Sequence, residues 1–248
     1  RVLPPQFSKD DVKQACADPA LAISPPEANC MDPQQGLALR LTKEMWADAG
    51  EATTAAALAD KTRVGVYIGA WQPFEQTAKS AYAALGGTLS ALAARVANAY
   101  DLQVLTPPSP SSPSPLAMHL AALLSSVPPA RWSDALFPPS PSLLQGPALT
   151  LNTACSSGLV AVDCALKDAR AGRIDFAIVG GVNLIAGQGG EAAYTDLKRA
   201  NMLSPTFRCH TFSACADGYV RAEGGVLMLL KSSAFAASPS PSPSPSPS

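Results

Sequence analysis

TLNTACSSGLVAV, Thr150 to Val162, sets a thiol at the seam between two apolar runs. Ahead of it, GPALTLN has the length and composition of a short strand. Behind it, the stretch from Ser156 to Ala171 carries Leu159, Val162, Leu166 and Ala169 at helical spacing, with Gly172 after the last turn. DFAIVGG then follows as a continuous apolar run, the mark of a strand covered on both faces. Strand, helix and strand between Gly146 and Gly181 predict a βαβ unit, and with it an α/β fold whose central sheet is mostly parallel and covered by helices.

The rest of the chain extends that pattern. RVGVYIGA alternates Val64, Val66 and Ile68 as a strand does, and QQGLALRLTKEMWADAG places Leu37, Leu41 and Met45 at four-residue spacing before a stop near Gly50. GGVLMLLK reads as another buried strand. The sheet is thus expected to hold Val64–Ala70, Ala148–Asn152, Phe176–Val179 and Val226–Leu230. Two segments break the pattern. Of 24 prolines, eleven fall between Pro107 and Pro147 and five alternate with serine from Ser238 onward. The tail is expected to be a disordered, extended peptide, and so is VLTPPSPSSPSP, while LAMHLAALLSSV between the proline clusters has the makings of a short helix.

Composition excludes several classes. A net charge of −1 with few charged residues leaves no electrostatic footprint for nucleic acid or an anionic membrane. The longest apolar stretch, DFAIVGGVNLIAG, is too short and too rich in glycine to span a bilayer. No secretory signal heads the chain, and it opens on Arg1 rather than Met, which reads as a fragment. The six cysteines, at 16, 30, 155, 164, 209 and 215, form no C-x-x-C pair and have no paired histidines beside them, so no metal site is expected. A cytoplasmic chain of reduced thiols is the expectation, with Cys16, Cys30, Cys164, Cys209 and Cys215 as core fillers.

Cys155 differs by its place. At a strand-to-helix turn, free N–H groups and the positive end of the helix dipole converge. Both favour the thiolate, the nucleophilic form of cysteine, and the same N–H groups can hold the oxyanion formed when sulfur attacks an acyl carbonyl. Ser156, Ser157 and Gly158 leave room beside the sulfur. The helix is apolar nearly all round from Leu159 to Val162, with charge only from Asp163 and Lys167 onward. That predicts a buried N-terminal end and a thiol at the bottom of a pocket. Spacing alone leaves two readings open, a nucleophile and a small core residue.

Resemblance separates them. NTACSSGLVAV resembles the active-site signature of β-ketoacyl synthases, the condensing domains of polyketide and fatty acid synthases, in which the cysteine of TACSS is acylated. ISPPEANCMDPQQGLAL from Ile23, VGVYIGA from Val64, ARVANAYDL near Arg95, DFAIVGGVNLI and MLSPTFRCHTFSACADGYVRAEGGVLMLLK are similar to further blocks of the family, in the same order. The resemblance implies the N-terminal half of a thiolase-like layered fold over residues 1–236, interrupted by a Pro/Ser-rich insertion at about 104–145, with a Ser-Pro tail at 237–248. Removing the insertion restores the family's spacing, so a surface loop and an unspliced in-frame intron both account for it, the intron more sharply.

The family's reaction is also implied. Cys155 takes an acyl group from the phosphopantetheine arm of an acyl carrier protein, and decarboxylative Claisen condensation with a malonyl-type extender follows. The domain itself binds no cofactor, and the complete enzyme is expected to be a homodimer. Two histidines of the family's C-terminal half promote decarboxylation and stabilise the enolate. Neither histidine of this chain fits that role. His119 lies in the proline-rich stretch, and His210 aligns where the family often has a basic residue, which suggests a surface or pocket-rim position. The 248 residues alone are therefore expected to be inactive in condensation. Competing readings are a non-catalytic remnant or dimerisation scaffold, and a different cysteine enzyme such as a hydrolase.

Departures from the pattern occur at Gly36, where arginine is usual, at Asn152 for aspartate, at Gly158 for serine, at Phe207 for glycine and at Ser213 for aspartate. Asp217, Arg221 and Glu223 in ADGYVRAEGG admit an acid–base role, but charges that pair and fix a turn are the stronger reading. Gly180 and Gly181, with Gly187, Gly189 and Gly190, lack the G-x-G-x-x-G order, which argues against a dinucleotide.

Overall fold

The computed structural model describes residues 9–21, 23–71, 82–102, 146–185 and 188–236. The expected insertion at 104–145, His119 within it and the tail at 237–248 lie outside the described residues. Helix α1 (Lys9–Cys16) leads to α2 (Pro25–Cys30) and α3 (Pro33–Ala49). The side chain of Ser24 accepts the Glu27 N–H to begin α2, and that of Asp32 accepts the Gln34 N–H at 2.7 Å to begin α3, each with proline in the first turn. Gly50, at φ +78°, ends α3 in a conformation that other residues rarely adopt. Then come α4 (Glu51–Ala59), β1 (Val64–Ala70), α5 (Ala83–Gly86), α6 (Ala91–Ala99), β2 (Ala148–Leu151), α7 (Ser157–Arg170), β3 (Phe176–Asn183), α8 (Gln188–Arg199), β4 (Gly224–Lys231) and α9 (Ser233–Ala236).

The strands form one sheet in the order β2-β1-β3-β4. β1 is parallel to both β2 and β3, and β4 runs antiparallel to β3. The expected βαβ unit is present, with β1 lying between its two strands. Alternate side chains then divide between two faces. Val64, Val66, Ile68, Phe176 and Ile178 meet Leu37, Leu39, Trp46 and Leu92 on the side of α3 and α6. Tyr67, Ala177 and Val179 meet Ala161 and Ala165 of α7 on the other. On the first side, a Cβ on Gly36 would lie 2.8 Å from Cγ2 of Val12, so an arginine at this position would displace α1 from α3.

Two expectations need correction. The buried line of α7 is Ser157, Ala161 and Ala165, not the stripe through Leu159 and Leu166, which are 77% and 38% exposed. Small residues win because the helix start sits almost in contact with the sheet. A Cβ on Gly69 would come within 2.5 Å of the Gly158 nitrogen, which leaves no space for leucine between the layers. Nor is β4 the buried strand expected of GGVLMLLK. Val226 is 64% and Met228 43% exposed, because β4 stands at the sheet edge beside α7 rather than beneath it.

Candidate active site

Hydrogen bonds fold the turn between β2 and α7 tightly. Asn152 Oδ1 accepts the Ala154 N–H at 3.2 Å, so the asparagine expected to end the strand shapes the turn instead. Ala154 takes φ +54°, a left-handed conformation unusual for a residue other than glycine. Buried Ser157 closes the loop from both sides. Its Oγ accepts the Thr153 N–H at 2.9 Å and donates to the Ala154 carbonyl at 2.6 Å. Ser156 Oγ lies 2.8 Å from both oxygens of Thr153, so the residue at the N-cap position makes no side-chain bond to the helix. Among the described residues, the N–H groups of Gly158 and Leu159 have no partner. A helix start with uncapped donors is the kind of place where developing negative charge is stabilised.

Cys155 sits in this turn, two residues before the first helical residue, and opens on a cavity of about 540 Å³. The expectation of a thiol at the bottom of a pocket is corrected here, since Cys155 is exposed in the cavity wall. The cause is the one that exposes Leu159: small residues seat the helix start, and the groups beside them stay outside. Trp71, Leu197, Met202, Tyr219 and Val220 supply the apolar lining, and Arg221 is the one charged residue among the described ones there.

The other thiols divide. Cys16 and Cys30 are buried and Cys164 half-buried, as expected of core fillers. Burial pushes the Cys16 thiol above its ordinary pKa, with the Arg95 charge opposing the shift. Cys209 and Cys215 are exposed, contrary to that expectation, because the loop from Asn201 to Glu223 lies outside the two packed layers.

His210 belongs to that loop and not to the cavity lining. Its Nε2 is 3.3 Å from Thr206 Oγ1, and the Thr206 hydroxyl donates to Asp217 at 3.1 Å. Hydrogen bonding from Ser204 holds the Asp217 carboxyl below its ordinary pKa, helped by Thr206 and the nearby imidazole. No ion pair joins Asp217, Arg221 and Glu223 among the described residues. Glu223 accepts the Ile185 N–H, and the Arg221 guanidinium lies 5.7 Å from the centre of the Trp71 ring. The expected pairing of these charges is thus corrected: Asp217 and Glu223 bond to other groups, and Arg221 lies against a ring. Trp71 escaped sequence reasoning as a site residue, and Arg221 was weighed there for acid–base work and as part of a turn; neither block gave a sign that the two meet.

Among the described residues no group of His, Cys, Asp and Glu is placed to hold a metal, and no helix is long and apolar enough to cross a membrane. Residues 6–126 and 141–236 match the family model of the β-ketoacyl synthase N-terminal domain. A phenolphthiocerol/phthiocerol polyketide synthase polypeptide of Mycobacterium tuberculosis is 35% identical over 210 residues, 85% of this chain and 8% of that protein. Polyketide synthase ThaG of Burkholderia thailandensis is 32% identical over 209 residues, 84% of this chain and 3% of that one.

Among solved structures, an oxazolomycin ketosynthase domain from Streptomyces albus superposes with a TM-score of 0.60 at 26% identity, covering 87% of this chain and 31% of that domain's chain. The ketosynthase from module 6 of the Bacillus subtilis bacillaene synthase gives 0.56 at 25% identity, covering 87% and 30%. The chain thus spans under a third of these ketosynthase structures and a small part of the synthases. The architecture is the thiolase-like α/β fold of ketosynthases. By motif, by sheet and by sequence match, the chain belongs to the β-ketoacyl synthase family and carries its N-terminal domain.

Proposed function

We propose that this domain is the acyl-accepting part of a polyketide synthase ketosynthase and that Cys155 is its nucleophile. The observation that carries the reading is the position of Cys155, exposed to the cavity at a helix start whose N–H donors are uncapped. Sulfur attacks the carbonyl carbon of an acyl thioester, and the uncapped donors stabilise the resulting oxyanion. Collapse expels the carrier thiol, which takes up a proton, and leaves the acyl group on Cys155. The acyl group arrives on the phosphopantetheine of an acyl carrier protein, which is substrate here and not a resident cofactor. The acylated domain then serves decarboxylative condensation with a malonyl-type extender.

Other parts of the reading have their own support. A homodimer would pair along β2, an edge strand in the described sheet whose Leu149 is 43% exposed. A cytoplasmic setting agrees with six cysteines of which none forms a disulfide. For the division into a domain over 1–236 with an insertion at about 104–145, the support is that the family match breaks inside that stretch, although it runs on to residue 126 and resumes at 141. Uniform retention of this stretch in transcripts would favour a loop over an intron.

The experiment is incubation of the full chain with an acyl carrier protein loaded with an acyl group, followed by mass spectrometry of the Cys155 peptide. Acyl mass on that peptide, lost in Cys155→Ala, is the expected result. An unmodified Cys155 in a folded chain would favour the alternative, a remnant kept as a scaffold.

A further inference from the structure

Arg221 is half-buried and has no carboxylate partner among the described residues, whereas Arg170 and Arg208, which also pair with none there, are exposed. Arg40, Arg63, Arg95, Arg173 and Arg199 each lie against a carboxylate. Among the described residues no hydrogen bond or ion pair engages the Arg221 guanidinium, and its Nη1 is buried without a partner. Its neighbour is a ring, with Cζ 5.7 Å from the centre of Trp71. Such a contact orients a guanidinium and leaves its N–H donors free for an acceptor.

Both side chains line the cavity of Cys155. The carboxylates nearest in sequence have other partners, Asp217 the Thr206 hydroxyl and Glu223 the Ile185 N–H. A half-buried cation beside a largely apolar cavity, without a counter-ion, is relieved of its desolvation by an anionic ligand. The planar fork of donors matches the paired oxygens of carboxylate or phosphate.

Resting on the reading of Cys155 as nucleophile, we infer that Arg221, held against Trp71, is the anion-recognising group of the cavity and draws substrates with carboxylate or phosphate oxygens to Cys155. It is a specificity-determining residue, favouring an anionic partner over a neutral one of the same size. Two sources supply such oxygens: a carboxylate on the acyl or extender unit, and the phosphate of the carrier's arm.

The test uses the full chain and two alkylating agents of similar size, anionic iodoacetate and neutral iodoacetamide. Each forms a sulfur–carbon bond as its carbon–iodine bond breaks, with iodide leaving and the thiol proton passing to solvent. Rates are read peptide by peptide at Cys155 and at the exposed loop thiols Cys209 and Cys215. The ratio of iodoacetate to iodoacetamide rates is expected to be higher at Cys155 than at either loop thiol. Arg221→Met, which keeps an unbranched stem on Trp71, should lower that ratio about fivefold, as removal of one charge from the wall of the same cavity implies, and Arg221→Lys should restore part of it.

Competition then separates the sources: malonate slowing the iodoacetate reaction more than inorganic phosphate points to a carboxylate, and the reverse order to the carrier phosphate. A ratio unmoved by Arg221→Met, including a fall in both rates by the same factor, overturns the inference. So does failure of either anion to slow the wild-type reaction, which needs no variant to fold. In those cases a Cys155 that still outpaces the loop thiols toward iodoacetamide leaves the nucleophile reading standing. A Cys155 no faster than they are overturns that reading and this inference with it.

Discussion

At the scale of residues, one left-handed backbone conformation stands beside Cys155 and another in the loop that follows α8. Ala154 is held left-handed by Asn152 Oδ1 and the Ser157 hydroxyl, and the thiol follows immediately. Phe207 is also left-handed, at φ +59°, yet its side chain has little to hold it, being 69% exposed. The family resemblance places glycine there, and glycine is the residue that adopts this conformation without steric penalty. A left-handed residue with a Cβ gives up roughly 1–2 kcal/mol, and a glycine's extra freedom in the unfolded chain returns part of that. Phe207→Gly should therefore raise stability by about 0.5–1 kcal/mol, read as an increased urea midpoint. Phe207→Ala, which keeps the Cβ, should show no such gain. Equal midpoints for the glycine variant and the native chain would mean that the loop has other means of bearing the strain.

Between elements, β1 is tied to the helix that follows Cys155 through a polar link. The Tyr67 hydroxyl of β1 donates to Asp168 of α7, which also holds Arg173. Burial, followed by that hydrogen bond, raises the Tyr67 pKa above its ordinary value. Burial also pushes Tyr100 up to about 12, with the Asp18 charge adding to the shift. In the unfolded chain both phenols ionise near pH 10, so the folded state gains stability from keeping them neutral. That contribution is complete below pH 10; the Tyr100 part is lost as pH rises from 10 through 12, and the Tyr67 part continues to be lost above that interval. The urea midpoint should fall over this interval, and Tyr100→Phe, which keeps the ring beside Trp46, should make the fall shallower. An unchanged slope in the variant would assign the alkaline loss to other groups.

The elements also show what could be read in advance. β1, β2, β3 and α3 were legible because each carries an uninterrupted apolar pattern between clear stops. The starts of α2 and α3 were written as Ser24-Pro25 and Asp32-Pro33, capping signals that an apolar count passes over. The buried side of α7 was not legible, because a stripe of leucine and valine outweighs serine and alanine in any hydrophobic periodicity. Only the closeness of Gly69 decides for the small residues. The place of Cys155 at a strand-to-helix turn was legible from its neighbours, whereas its exposure and its company with Trp71 and Arg221 depend on tertiary packing of distant blocks.

Across the molecule, the sheet's two faces are unequally covered among the described residues. One side carries most of the core, under α3 and α6, while the other meets α7 through a small cluster around Tyr67, Ala161 and Val179. Beyond that cluster Leu159 of α7 and Val226 and Met228 of β4 are exposed, apolar surface of the kind that mediates association. The site is one-sided in the same way. It offers Cys155, the proposed nucleophile, and a cavity, but of the chain's two histidines His210 is occupied with Thr206 in its loop and His119 falls in the proline-rich stretch. Carbon–carbon bond formation needs a group that promotes decarboxylation and stabilises the enolate, and acid–base assistance of that kind is commonly worth ~10²–10⁴-fold. The prediction is that these 248 residues, given acyl- and malonyl-loaded carrier protein, acquire acyl mass on Cys155 yet release no β-ketoacyl product, and that they self-associate in sedimentation at micromolar concentration. Product that disappears with Cys155→Ala would show that some group of this chain does the work assigned to the family's histidines, and the one-sided account of the site would then be wrong.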